Sequence, residues 1–482
     1  MKANQVLFYS RYILIIAGLG GLLYGVDVGI ISAALLFIGK TIPLTLAETS
    51  IIVSAVLGGS MLSSLGAGFL ADRLGRKVLM VTSGALFLAS VFIIVSSHNF
   101  KLLFAGRLLQ GISGGVIAVV IPLFLAEVLS ARTRGRGSAI FQFMLTVGIL
   151  LAAGIGWHYT RQASIAIVAA SGNQALIVAA QDHAWRGMFL TVAYPGAVFF
   201  FGCFFLSETP RWLLQRGRTA DALKSLRRSL PEKEVQQELN EIGHPGSGSD
   251  VTVATDRLIQ RKYVLPFLLT CAVLICNQTT GINSILAYLS VLLRQAGLAE
   301  QHAAQGDFAV KLLNCLFTVI SISLIDTRGR KFLLMVGTAG ITLALVLTAI
   351  LFHIVQTRGP SETLGWLLSI CMGVFISAFA VGPGVVVWLT LSELMPTRIR
   401  STGMGIALVL NQGAGTLIAG VFLPVVGRFG YGIMFTFFAI CTLFYFTVAA
   451  LLLPETRGKT LEEIQLYFED PSRSTAAGES RS

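Results

Sequence analysis

Apolar residues in this chain come in long, nearly charge-free runs, unlike the two-residue alternation of a strand or the single stripe of a helix on a soluble core. Residues 78–97, 188–206, 332–352 and 431–453 are plain examples. Each is long enough to cross about 30 Å of hydrocarbon as a helix. The pattern predicts spans at 12–37, 48–70, 78–97, 102–128, 138–157 and 187–206, then at 264–293, 308–325, 332–354, 363–392, 402–426 and 431–453. The first is too long for the apolar core of a cleaved leader and holds an acid, Asp27, so it reads as a span. One long polar interruption, residues 210–262, parts the spans six and six. The expected organisation is a bundle over 1–206, a helical linker over 207–262, a second bundle over 263–454 and a tail over 455–482.

Composition turns these runs into a membrane protein. With 54% hydrophobic and 12% charged residues among 482, and a mean hydropathy of +0.77, the chain has too little polar surface to cover a soluble globule of its size. An even number of spans puts both termini on one side, and basic residues decide which side. With the termini inside, 27 of the 36 Lys and Arg face the cytoplasm, 8 face outward, and Arg107 stays within a span. Both termini are therefore expected in the cytoplasm, beneath a bacterial inner membrane or a eukaryotic plasma membrane. The net charge of +12 follows from that orientation and from contact with anionic lipid headgroups, so it calls for no nucleic-acid partner. The six cysteines all lie in predicted spans as small apolar packers. No metal-ligand spacing, cofactor motif or nucleophile constellation accompanies them.

The two sets of spans carry the same charged signatures in the same order. Asp72-x-x-Gly75-Arg76-Lys77 follows the second span and Asp326-x-x-Gly329-Arg330-Lys331 the eighth. Glu127-x4-Arg132-x-Arg134 follows the fourth and Glu393-x4-Arg398-x-Arg400 the tenth. Glu208-Thr209-Pro210 ends the sixth, and Pro454-Glu455-Thr456 the twelfth. Three matches in register are the internal symmetry of a transporter built from two repeats. Arg73, Glu127, Arg134, Glu208, Arg330, Glu393, Arg400 and Glu455 are expected to pair and part as an inner mouth closes and opens. Glu127 to Glu208 spans 81 residues against 62 from Glu393 to Glu455, so the first half has an insertion, expected as a loop over 158–185.

Several stretches resemble the sugar porters of the major facilitator superfamily: GFLADRLGRK (68–77), GRLLQGISGG (106–115), PLFLAE (122–127), SETPRWL (207–213), NQTTGIN (277–283) and PETRGKTLEEI (454–464). The resemblance runs from about Gly20 to Ile464. It implies an all-α integral membrane fold of twelve helices, in two pseudo-symmetric six-helix bundles, with a small cytoplasmic helical domain that residues 219–242 suit. It further implies a functional monomer that carries a monosaccharide with a proton, embedded in lipid.

A carboxylate at the centre of a span costs about 2.5–3.5 kcal/mol, so Asp27, the one acid deep in a predicted span, is a functional candidate in its own right. The resemblance matches it to the aspartate of proton-coupled members and sets it near Arg107. A pyranose needs amides that donate and accept and an aromatic ring to lie against. Span seven is dense in such groups: Asn277, Gln278, Thr280, Asn283, Ser284 and Tyr288. Gln278 and Asn283 stand about 140° apart on an ideal helix, so both line one cavity only if the helix breaks near Gly281. By resemblance, Gln142, Asn277, Gln278, Asn283, Asn314, Asn411 and Gln412 line the sugar site, with Trp388 as its aromatic floor, Tyr24 as a lid and Tyr288 as a gate. Asn277 in place of Gln, Ala287 in place of a tyrosine and Gln412 in place of Trp depart from the family pattern and shift the pocket's reach. The alternatives are a uniporter, a carrier of polyol or inositol, a drug exporter or a nutrient sensor.

Overall fold

The computed structural model describes residues 2–129, 131–229, 235, 261–395 and 400–457. The expected tail from residue 458 onward and most of the expected linker helix after Ser229 lie outside these residues. Among the described residues every regular element is a helix, and 12 are long and apolar enough to cross a membrane. Spans one to six are Val6–Gly29, Leu46–Leu74, Arg76–Val95, Phe100–Val128, Ala139–Ala169 and Gln174–Phe204. Spans seven to twelve are Val264–Gln295, Glu300–Ile325, Arg330–Arg358, Glu362–Thr390, Gly403–Phe429 and Tyr431–Leu451. A helix satisfies its own backbone, which is why uninterrupted apolar sequence takes this form in lipid.

The boundaries bring two corrections. The insertion expected as a loop is helical: span five belongs to a helix running Ala131–Ala169, and the next begins at Gln174. The turn between them uses Ser171 and Gly172 at positive φ, and the Asn173 side chain caps the following helix by accepting from the Ala175 and Leu176 N–H groups. Alanine-rich sequence without proline extends a helix as readily as it fills a loop. The second correction is that span eight starts eight residues earlier than hydropathy placed it, so that Asp307 falls inside the helix together with Lys311.

Packing divides the chain into two compact units. One comprises residues 1–251 with 286–291 and 300–308; the other comprises 252–285, 292–299 and 309–482. In the first unit, span one packs along span five, and span two along span four. Short helices Pro210–Gln215 and Thr219–Ser229 follow span six and dock on this unit. Trp212 Nε1 donates to the Asp72 carbonyl at 2.9 Å, and the Arg228 guanidinium lies 4.2 Å from the Tyr9 ring. In the second unit span nine packs against spans ten and twelve, around buried Leu333, Leu334, Val386, Val387 and Tyr445.

Each unit uses one turn to start its third helix. Gly75 and Gly329 take φ of 97° and 88°, a region that side chains with a Cβ avoid. The first N–H groups of the following helices point at a carboxylate from a distant part of the same unit. Arg76 and Lys77 donate to Glu208 at 3.0 and 3.1 Å, and Arg330 and Lys331 donate to Glu455 at 2.9 and 3.1 Å. An anion at a helix N-terminus fills orphan donors and meets the positive end of the helix dipole. A Cβ on Gly75 would strike the Glu208 carboxylate. Gly75→Ala is therefore expected to lower the unfolding temperature in detergent by several degrees, through about 1–3 kcal/mol of backbone strain and a displaced cap. An unchanged melting curve would contradict this account of the turn.

Candidate functional site

Asp27 sits three residues before Ile30, the single residue that separates span one from a short helix, Ile31–Thr41. Gly21 and Gly25 let span one lie directly on the backbone of span five at Phe141 and Leu145. This close approach leaves Tyr24 and Asp27 facing span four, where a Cβ on Gly114 would come within 3.1 Å of the Tyr24 ring and 3.3 Å of Asp27 Oδ2. Asp27 and Arg107 are each 1% exposed and lie within range of each other's charge. They make no direct hydrogen bond: neither Asp27 oxygen has a partner in hydrogen-bond geometry, although the Gln110 amide lies beside it, whereas Arg107 Nη1 donates to Gln110 Oε1 at 2.7 Å. The guanidinium also lies 5.7 Å from the Phe189 ring. Gln110 therefore takes the place at Arg107 that sequence reasoning gave to Asp27.

In the second unit, span seven breaks where the amide pattern requires it. One helix ends at Thr279 and the next begins at Ile282, with Gly281 left-handed at φ 80° and ψ 11°. The break turns Asn283 back toward Gln278. Asn283 Nδ2 donates to Gln278 Oε1 at 2.7 Å, and Gln278 Nε2 donates to Asn411 Oδ1 at 3.0 Å. Three of the expected amides thus form one chain of hydrogen bonds across spans seven and eleven. Asn277 is buried with its Oδ1 unpartnered, and the Ser284 hydroxyl is likewise buried without a partner. Asn314 is buried on span eight, Gln412 is half-buried, and Trp388 is 43% exposed.

The remaining candidates fall in the first unit. Tyr24 and Gln142 are half-buried, and buried Tyr288 donates to Ser50 Oγ at 3.3 Å.

The charged signatures assemble separately in each unit. Arg76 Nη2 donates to Asp72 at 2.8 Å and to Glu127 at 2.9 Å, and Arg330 Nη2 donates to Glu393 at 3.2 Å. Thr456 Oγ1 donates to the other Glu393 oxygen at 2.6 Å. Arg76 is the arginine at the centre of the first cluster, and Arg73, expected there, has an exposed side chain. The side chains of Arg134 and Arg400 lie outside the described residues. Burial raises the Glu208 carboxyl above the usual carboxylate range, against the opposing pull of the Thr209, Lys77 and Arg76 N–H groups and the Arg76 charge.

Two buried charges were missed in the sequence. Asp307 is 1% exposed and Lys311 is 0% exposed, four residues apart on span eight. The signal was an Asp-x3-Lys spacing in an otherwise apolar helix: Asp307 falls one residue outside the expected boundary at 308, and Lys311, inside it, passes for an outward-facing charge near the span's end.

A family model described as "Sugar (and other) transporter" matches residues 13–468. The chain is 33% identical over 468 residues to "Glucose transporter GlcP" of Staphylococcus epidermidis, covering 96% of this chain and 97% of that protein. It is 28% identical to the "Arabinose-proton symporter" of Bacillus subtilis, with 93% of each covered. Among solved structures, a partially occluded inward-open form of the xylose transporter XylE from E. coli superposes with a TM-score of 0.77 at 23% identity, over 94% of this chain and 99% of that one.

The break at Gly281 is open to a direct test. A Cβ there would run into the Phe438 ring and would have to adopt a left-handed backbone. Gly281→Ala is expected to destabilise the protein by about 2 kcal/mol or more through clash and strain together. Adding Phe438→Leu should recover part of the lost melting temperature by making room. A double variant no more stable than the single one would show that the ring is not the obstacle.

Proposed function

The chain belongs to the sugar transporter family of the major facilitator superfamily, and on that footing we propose that it carries a monosaccharide across a membrane together with a proton, by alternating access. The observation that carries the proton is the environment of Asp27. A carboxylate with both oxygens buried and unpartnered is expensive when ionised, so this arrangement suits the neutral acid. Arg107 meanwhile holds a substitute acceptor, Gln110, which supports a cycle in which the guanidinium alternates between the glutamine and the aspartate. When the acid is ionised, the two charges attract; when it is protonated, span one is released from span four.

The sugar reading rests on the Gln278–Asn283–Asn411 chain and on the unpartnered groups of Asn277 and Ser284 beside it. Buried amides already tied to one another present their remaining donors and acceptors in fixed directions, which is what a ring of hydroxyls requires. Unpartnered buried polar atoms are costly without a ligand and become satisfied with one. Asn314 and Gln412, with Trp388 as an aromatic surface, are assigned to the sugar within the second unit, and Gln142, Tyr24 and Tyr288 are assigned to it within the first. Both termini are assigned to the cytoplasm, and the Arg76–Glu127 and Arg330–Glu393 clusters with them.

Coupling has a calculable value. One charge crossing 100 mV gains about 2.3 kcal/mol, and each tenfold accumulation costs about 1.4 kcal/mol. One proton per sugar thus supports roughly 50-fold accumulation, whereas a uniporter supports none. Uptake into energised vesicles is expected to collapse toward equilibrium when a protonophore is added, and Asp27→Asn should abolish accumulation while leaving sugar exchange between equilibrated compartments. Accumulation that survives the protonophore would make the chain something other than a proton symporter. Full accumulation by Asp27→Asn would move the coupling site elsewhere.

A further inference from the structure

The short helix Ile31–Thr41 continues span one beyond Ile30 and meets the first turns of span eight in antiparallel order. Two polar contacts fix it there. Ser32 Oγ donates to Asp307 Oδ1 at 3.2 Å, and Lys40 pairs with Glu300. Eight residues separate Ser32 from Lys40 and seven separate Glu300 from Asp307, so both contacts fall on one face of each helix, about two turns apart. Ser32 Oγ also accepts the Ser290 N–H at 3.0 Å and lies 3.0 Å from the Ser290 hydroxyl. At the far end, Thr41 Oγ1 accepts from Trp185 Nε1 at 2.9 Å. Ser32, Ser290 and Asp307 are all 1% exposed or less.

We propose that Asp307 is a positioning residue for the proton site, acting as the fixed jaw of a clamp on the lever formed by Ile31–Thr41. The lever pivots at Ile30, with Asp27 three residues before the pivot and Ser32 two residues after it. Holding Ser32 holds the junction at Ile30, and the junction sets where the Asp27 carboxyl stands relative to span four. Lys311 lies one turn along the same helix, about 40° around from Asp307, and balances its charge. Because that balance travels with span eight, the lever can leave Asp307 without exposing an uncompensated charge. The contact that breaks is then the hydrogen bond to a serine, which suits a joint that opens once per cycle. This assignment rests on the proposed role of Asp27.

The clamp is tested without any substrate. Ile38 lies on the lever and is 0% exposed. In purified protein reconstituted in lipid nanodiscs, an Ile38→Cys variant is exposed to a water-soluble maleimide, with the native protein and its six intramembrane cysteines setting the background rate. Ser32→Ala, and separately the pair Asp307→Leu with Lys311→Met, are each expected to speed labelling about fivefold, the shift in a two-state ratio that loss of one hydrogen bond produces. Labelling at the parent rate in both would overturn the clamp. Lys311→Met alone strands a buried carboxylate and should reduce the yield of folded protein, with Asp307→Asn restoring it; no restoration would overturn the charge balance. Combining Ser32→Ala with Asp27→Asn separates a clamp that positions Asp27 from one that is only structural. If the two ends of the lever communicate, the effects on labelling depart from a simple product; if they multiply, the positioning role is overturned. A wild type that accumulates no sugar would defeat the proposed function but leave these labelling rates as they are.

Discussion

A charge inside a hydrocarbon-facing helix costs more than almost any single contact can return, and the rest of this structure is organised around where such charges are tolerated. The described spans hold few acids and bases in their interiors, and each of these meets a partner or a purpose. Arg107 rests on Gln110 and the Phe189 face. Asp307 has the Ser32 hydroxyl. Asp27 alone has neither oxygen hydrogen-bonded. A group left in that condition is held by the surrounding packing, and here the packing is the close approach of spans one and five at Gly21 and Gly25 together with the small Gly114 opposite. Glycine brings the backbones together, and the acid occupies the space that remains.

The same economy appears at helix ends. Both units begin their third helix at a left-handed glycine and pass its first N–H groups to a glutamate that follows their sixth. Arg76 and Arg330 then reach from those helices to Glu127 and Glu393. Sequence symmetry alone could not assign partners among these charges, since an arginine three residues away satisfies the same pattern. The turn geometry selects Arg76 over Arg73, because the residue just after the glycine is carried into the interior and Arg73, two residues before it, stays outside.

Much of the fold was legible in the residues. Spans follow from uninterrupted apolar runs, and the break in span seven follows from two amides on opposite sides of an ideal helix with a glycine between them. What stayed hidden has a common physical origin: hydropathy averages over a window, and a helix does not. Asp307 and Lys311 drag the average down, so that Asp307 appears to lie outside the span that contains it and Lys311 at its edge. The stretch 158–185 is too polar to score as lipid-facing, yet only Ser171–Asn173 has the composition of a turn, and the structure bends there. Pairing through space, such as that of Ser32 with Asp307, leaves no trace in a single sequence, whereas Arg107 and Gln110, three residues apart on one helix face, carry their pairing in the spacing.

The carboxylate caps also constrain how the molecule is made. Span three starts at Arg76, but the group that satisfies its first N–H lies 132 residues later, at Glu208. In the other unit, Arg330 waits for Glu455, 125 residues on and close to the end of the described chain. During synthesis, therefore, neither set of helices can close its third element until its sixth has left the ribosome. Each half matures as a whole, and the second half finishes only once its last span has been translated.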